Sequence, residues 1–329
     1  MISLAPLLQA FFTERLLEQR RVSAHTVAAY RDTFRLLLAF AKQRLRTTPS
    51  EIELENIDAT LVTAFLAHLE KERGNSTRTR NARLAAIHSF FTYAAQCEPA
   101  ASAHIQRVLS IPHKRHVRGT VGYLNSHEVD ALLAVPDRKT WLGRRDHALL
   151  MLAIQAGLRV SELTQLRIDD AHLGAGAHVR CTGKGRKERC TPLLPSTVIA
   201  LKEWIRASDV GPTGFLFPKR QGGPLSRDAI EWLLAKYVAI AAKTQPTLRR
   251  KRVSPHTLRH TSAMRLLHAG VDTSVIALWL GHESVETTQI YLHADMSVKE
   301  RAIAKTAPLH SATRRYQPKD SLLTFLEGL

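Results

Sequence analysis

Cysteine, acidic side chains and long apolar runs are all scarce in this chain. Three cysteines among 329 residues, an odd number, exclude a disulfide framework and fit a reducing cytoplasm. Cys181 and Cys190 flank the segment TGKGRKER, where a hairpin would let them face each other. In a reducing setting they read as two small apolar residues instead of a disulfide. Acid is outnumbered, with 29 Asp and Glu against 47 Lys and Arg, a formal charge of +18. Such a balance selects a polyanionic partner, nucleic acid first and an anionic membrane surface second. No apolar run approaches the roughly 18 residues of a spanning helix, so no membrane partner is expected. The opening MISLAPLLQAFFTERLL lacks a basic leader region and a small-residue cleavage site. Its Leu4, Leu7, Leu8, Phe11 and Phe12 fit one face of an amphipathic helix, and a cytoplasmic location follows. The H-E-x-x-H pattern and clustered carboxylates are also missing, so neither a metal nor a cofactor is expected.

What is present organises the chain into two parts. Hydrophobic residues make up 44% of it, enough for packed cores, and the length suits two domains. Apolar residues recur at helical spacing at Val27, Tyr30, Phe34, Leu37 and Ala41, at Leu61, Phe65 and Leu69, and at Leu84, Ile87, Phe91 and Ala94. With the opening segment they predict a bundle of about four helices over residues 1–110. Gly74 and Asn75 separate the last two helices, and Ser76 or Thr77 caps the final one. Arg78, Arg80 and Arg83 in its first turns oppose the helix dipole, which favours a DNA-contacting edge over a merely solvated face.

From 98 to 122 helical periodicity is absent, and residues 111–122, with Lys114 and Arg115, read as a basic linker able to track DNA. Residues 123–306 form the second domain. Ser126 is the expected cap of a helix carrying Glu128, and DHALLMLAIQAG is a long helix stopped by Gly157. The runs AHVRCTG and ERCTPL form a β-hairpin around Gly183 to Gly185, and helical patterns return to about residue 304. The fold class is mainly α with a small antiparallel β-sheet. A tail, 307–329, ends in the apolar SLLTFLEGL, a helix too short to stand alone that docks on a partner or on its own chain.

The segment SPHTLRH raises the chemical question. Pro255 suits a first helical turn, and His256 and Arg259 then share a face. A zinc pair is disfavoured, because an arginine between two ligands repels the cation. Anion handling fits better, with arginine as a bidentate phosphate clamp and histidine as a proton-transfer group. The company strengthens this. Arg159, Lys184, His256, Arg259, His282 and Tyr291 make a metal-free set suited to a phosphodiester, whose transition state gathers negative charge that fixed cations stabilise.

The segments GLRVSEL, GKGRKER, SPHTLRHTSAMRLLHAG and LGHESVETTQIYLHAD resemble, in order and spacing, the catalytic boxes of the tyrosine recombinase family of phage integrases and Xer-like enzymes. The resemblance spans most of residues 120–305. It implies an N-terminal four-helix core-binding domain that clamps DNA and a C-terminal catalytic domain. It implies that Tyr291 attacks the scissile phosphate to form a 3′-phosphotyrosyl link. Arg159 and Arg259 would clamp the non-bridging oxygens, Lys184 protonate the leaving 5′ oxygen, His256 assist proton transfer at the tyrosine and His282 bond the phosphate. Glu162 would brace the site, with His260 in support. The RRKR run and Trp279, where a smaller aliphatic residue is common, depart from the family pattern. Arg186, Lys187, Arg249, Arg250, Lys251 and Arg252 join the expected DNA-binding residues.

The implied partner is double-stranded DNA, with a monomer in free solution and a homotetramer on two DNA sites in the synapse. Accessory DNA-bending or sister recombinase proteins are further partners, and the tail would pack into a neighbouring protomer. The implied role is recombination for a mobile element or replicon. Competing readings are type IB topoisomerase-like strand relaxation, chromosome-dimer resolution by an Xer-type enzyme, a DNA-binding module without activity and a zinc hydrolase.

Overall fold

The computed structural model describes residues 2–115, 121–183, 188–282, 284 and 286–294, with only the backbone described at 286 and 292–294. The chain divides into two compact units, residues 1–118 and 119–329.

In the first unit α1 (Leu4–Ala10) runs directly into a π-helical stretch, Phe11–Gln19. Phe11 sits at the change of pitch, fully buried, with the rings of Tyr30, Phe34, Phe90 and Tyr93 packed around it. The helices α2 (Ala24–Leu45), α3 (Ala59–Lys71) and α4 (Thr77–Cys97) follow. Each is opened by a side-chain cap, from Ser23, Asp58 and Ser76 respectively. A further helix, α5 (Ser102–Leu109), occupies the start of the stretch read as lacking helical periodicity. It buries only Ile105 and Val108, too few contacts for a periodic signal.

The expected DNA edge on α4 needs correction. Arg80 is buried and donates to the carbonyl of Pro112 and to Asn81. Arg83 is half-buried and donates to the Ala29 carbonyl and to Thr33 Oγ1. These guanidiniums hold the bundle together, and Arg78 is the one of the three that is exposed. Asn81 also exchanges two bonds with the Lys114 backbone, and Lys114 Nζ pairs with Glu70. The beginning of the expected linker is thus stitched onto this unit, and Arg115 lies exposed beyond it.

In the second unit α6 (Ser126–Leu133) is capped by Asn125, one residue before the expected Ser126, in a reciprocal pair with Glu128. The long α7 (Trp141–Ala156) is the core helix, with Ala148, Leu149, Leu150, Leu152 and Ala156 fully buried. A short α8 (Val160–Gln165) follows. Then comes an antiparallel sheet in the order β1 (Ala171–His172), β2 (His178–Thr182), β3 (Glu188–Pro192). Its register pairs Cys181 with Arg189 and Cys190 with Arg180. Cys181 is buried and Cys190 exposed, so the two thiols lie on opposite faces and do not meet.

The helices α9 (Pro195–Ser208), α10 (Arg227–Ala241), α11 (Pro255–His268), α12 (Thr273–Leu280) and α13 (Glu286–Ala294) complete the unit. Trp204 of α9 is buried against α7 and donates its indole N–H to the Leu216 carbonyl. Inside the same core Arg145 pairs with Asp146, which accepts from Tyr237. Among the described residues no helix is long and apolar enough to cross a membrane. The tail 307–329 lies outside the described residues.

One turn fixes where the chemistry sits. Gly157 ends α7 with φ of 63°, the left-handed region, and its carbonyl accepts from Arg259. A Cβ there would stand 2.6 Å from Leu280 Cδ2 and 2.9 Å from Ser262 Oγ. Gly157→Ala is therefore expected to cost about 2 kcal/mol or more, lowering the melting temperature of this unit by roughly 4–8 °C. Calorimetry showing an unchanged melting temperature would contradict this reading of the turn.

Candidate phosphodiester active site

Arg159 is two residues beyond that turn, at the N-cap of α8. Leu158 between them is buried, which leaves the Arg159 side chain at the protein surface, 32% exposed. Its Nη1 donates to Glu162 Oε1 and its Nη2 to the Gly281 carbonyl, both at 2.8 Å. Glu162, one turn later on α8, has a side chain only 2% exposed. Its second oxygen accepts from the Arg159 backbone N–H at 2.8 Å. Arg189 on β3 completes the set, donating Nη1 to Oε1 at 3.0 Å and Nη2 to Oε2 at 2.7 Å. Burial pushes the Glu162 carboxyl up, but the Arg189 fork and the Arg159 bonds outweigh it and hold the group below the usual carboxylate range.

Arg259 lies on α11 and is 3% exposed. Its fork donates to the carbonyls of Gly157 and Leu280, both at 2.7 Å. These close the C-terminal ends of α7 and α12, where helix dipoles favour a cation. Burial, then the nearby Arg159 charge, lowers its pKa to about 10, which leaves it protonated at neutral pH.

His256, on the first turn of α11 capped by Ser254, is exposed. With Arg159, Arg259 and Arg227 it lines an open cleft of about 400 Å³. His260, one turn on, brings Nδ1 to 3.0 Å from the Tyr291 hydroxyl. The expectation for His256 at the tyrosine is thus met in this geometry by His260, with the His256 ring 4.4 Å away, edge-on to it. Tyr291 on α13 is 1% exposed, and burial raises its hydroxyl to about 12. His282 follows Gly281, bonds Thr288 Oγ1 at 2.7 Å and stacks beside Tyr291 at 6.3 Å. Burial first, and neighbouring cations second, lower both His260 and His282 to about 4, so both rings are neutral at pH 7.

The structure therefore brings together Arg159, Glu162, His256, Arg259, His260, His282 and Tyr291. Lys184, Arg186 and Lys187 lie outside the described residues. In the RRKR run Arg249, Arg250 and Arg252 are exposed, but Lys251 needs correction. Its Nζ turns inward to Glu128 Oε2 and to the Tyr123 carbonyl, so it braces α6 and is not available to DNA. Arg189 and Arg227 were missed by sequence reasoning. The available signal for Arg189 was strand alternation: it shares the inward face of β3 with buried Thr191.

Two arginines and a histidine along one cleft, with a second histidine at 3.0 Å from a buried tyrosine hydroxyl, make a set of side chains suited to an anionic substrate. Comparison with known proteins agrees. A model of the phage integrase family matches residues 122–297, and one of the phage integrase N-terminal SAM-like domain matches residues 10–97. The chain belongs to the phage integrase family of tyrosine recombinases, enzymes of site-specific DNA strand transfer, and DNA is its partner. It is 56% identical over 327 residues to a protein of Sinorhizobium fredii with the provisional name integrase/recombinase y4rC, covering 99% of this chain and 98% of that one. It is 33% identical over 310 residues to tyrosine recombinase XerC of Pelobacter propionicus, covering 94% and 97%. Among solved structures, the XerH recombinase bound to its difH substrate before cleavage matches with a TM-score of 0.64 at 25% identity, over 87% of this chain and 81% of that one. The Tn1549 transposon integrase shares the fold, with a TM-score of 0.69 at 16% identity over 93% and 100%.

Glu162→Gln keeps the shape of the hub and removes its charge, leaving the guanidiniums of Arg159 and Arg189 uncompensated. Breaking such a buried pair is expected to cost about 3 kcal/mol, read as a fall in melting temperature of roughly 6–12 °C. A variant as stable as the native chain would contradict the assignment of Glu162 as the hub.

Proposed function

We propose that the chain cuts and rejoins DNA at a specific site through Tyr291. The observation that carries this reading is the Tyr291 hydroxyl held at 3.0 Å by a neutral histidine beside the arginine-lined cleft. Tyr291 Oη attacks the scissile phosphorus, the P–O5′ bond breaks, and a 3′-phosphotyrosine and a free 5′-hydroxyl result. A 5′-hydroxyl of the partner strand then attacks the phosphotyrosine and restores both the DNA and the tyrosine. One phosphodiester is exchanged for another, so no ATP is consumed. Arg159 and Arg259 stabilise the charge gathering on the non-bridging oxygens. His260 accepts the phenolic proton, His256 at the cleft edge passes it onward, and His282 bonds the phosphate. Lys184, on the resemblance to the family boxes, gives the leaving 5′ oxygen its proton.

Each chain offers one nucleophile, and exchange between two duplexes cuts four strands, so the working assembly is a tetramer on two DNA sites. Residues 1–110 serve as the DNA-clamping domain, residues 123–306 as the catalytic domain and the tail as a contact to a neighbouring protomer. With a likeness of 56% to a protein named integrase/recombinase, the reading we adopt is recombination for a mobile element or replicon, carried out in the cytoplasm.

On a nicked duplex carrying the site, the native chain is expected to form a detergent-resistant adduct, in EDTA as well. Tyr291→Phe should bind the duplex and trap nothing, and an adduct formed equally by the Phe variant would overturn the assignment. The pH profile is a separate check. His260 and His282 fall from an ordinary value near 6.5 to about 4, so both stay neutral, and His260 proton-accepting, throughout the range 6 to 8. Adduct formation should show no inflection from His260 or His282 in that range and should weaken as pH approaches 4. A step centred near pH 6.5 that disappears in His260→Asn would contradict the buried, neutral assignment.

A further inference from the structure

We propose that Arg189 is a positioning residue for strand cleavage: by neutralising Glu162 it leaves the Arg159 charge available to the scissile phosphate. The inference rests on the reading of Arg159 as a phosphate clamp given above.

Glu162 carries one negative charge and accepts four bonds, two from Arg159 and two from Arg189. The bidentate fork belongs to Arg189, the stronger and more directional arrangement. The Arg159 side chain gives the carboxylate a single bond, through Nη1, and its Nη2 turns to the Gly281 carbonyl. The Arg189–Glu162 pair is neutral as a unit, so it takes no charge from Arg159 and Arg259, which line the cleft together with Arg227 and Glu231. Without Arg189, Glu162 would be left with Arg159 as its sole guanidinium partner, and the field at the phosphate would fall by about one charge.

Arg189, unlike Arg159 and Arg259, is not among the residues that line the His256 cleft. Its side chain is 12% exposed, both terminal nitrogens donate to Glu162, and Nε is buried with no hydrogen-bond partner among the described residues. Its packing serves a second purpose. A Cβ on Gly281 would meet Arg189 Nη1 at 3.0 Å and Cδ at 3.2 Å, so the side chain lies flat against the turn that precedes His282. One side chain on β3 thereby fixes the start of α8 and the approach to α13 together. Lysine cannot copy it, because a point charge reaches both carboxylate oxygens poorly.

The test is single-turnover adduct formation on the nicked duplex, with binding and melting temperature measured alongside. Arg189→Ala is expected to slow cleavage by on the order of 10- to 100-fold, the loss typical of removing an orienting partner, with DNA affinity little changed. Arg189→Lys should fall between Ala and native. The decisive variant is Arg189→Ala combined with Glu162→Gln. Removing the unbalanced carboxylate frees Arg159 again, so the double variant should cleave several-fold faster than Arg189→Ala alone. Residues with a merely structural role would add their damage, and a double variant as slow as or slower than Arg189→Ala overturns the proposal. Should Arg189→Ala fail to fold, Arg189→Lys alone and with Glu162→Gln carries the same comparison. Arg159→Ala serves as the control: if it cleaves at the native rate, the clamp reading fails, whereas loss of cleavage there without rescue in the double variant sinks only the role of Arg189.

Discussion

A carboxylate with almost no solvent contact survives in this molecule because two arginines surround it. Glu162 loses its hydration on burial, a cost of several kcal/mol for an isolated ion. Four charge-assisted bonds from Arg159 and Arg189 offset that cost and join the start of α8 to β3, and a fifth bond, from Arg159 Nη2 to the Gly281 carbonyl, brings in a third segment. The start of α8, the inward face of β3 and the turn at Gly281 cannot shift independently while these bonds persist. Arg259 repeats the solution with different partners. Its buried guanidinium is held by backbone carbonyls at the ends of α7 and α12, the partially negative poles of two helices. The arginines along the cleft are therefore held by the fold itself, Arg259 by two helix-end carbonyls and Arg159 by Glu162 and the Gly281 carbonyl.

The rest of the site follows from the same field. Burial above all, with His256 and Arg259 next for His260 and the arginines next for His282, keeps both rings neutral, so His260 Nδ1 can accept a proton from Tyr291 at 3.0 Å. Burial raises the tyrosine to about 12, which keeps the phenol protonated in the DNA-free chain.

Much of this was legible from the residues. Helical periodicity anticipated α2, α3 and α4, and Ser76, Gly157 and the Ser254–Pro255 pair marked helix ends where they fall. The clustered boxes led to Arg159, His256, Arg259, His282 and Tyr291, because chemistry of this kind needs those side chains at those spacings. The failures share a cause. Arg80 and Lys251 were read as surface charge, yet each is turned inward by a partner distant in sequence, Pro112 and Glu128. Charge is a property of composition, whereas burial depends on tertiary contacts that no local pattern records. The same holds for Arg189, whose partner lies 27 positions away, and for His260, whose contact with Tyr291 spans 31. The two cysteines show a finer limit: a hairpin was foreseen, but its register decides which side chains share a face.

The central claim is that the phenolic oxygen of Tyr291 becomes the atom joined to DNA. The most direct measurement is to trap the complex, digest both protein and DNA, and locate the nucleotide-bearing residue by mass spectrometry. A single modified peptide from α13 is expected, with the nucleotide joined through its 3′ phosphate to Tyr291. A nucleotide found on any other residue, or a linkage through a 5′ phosphate, would contradict it.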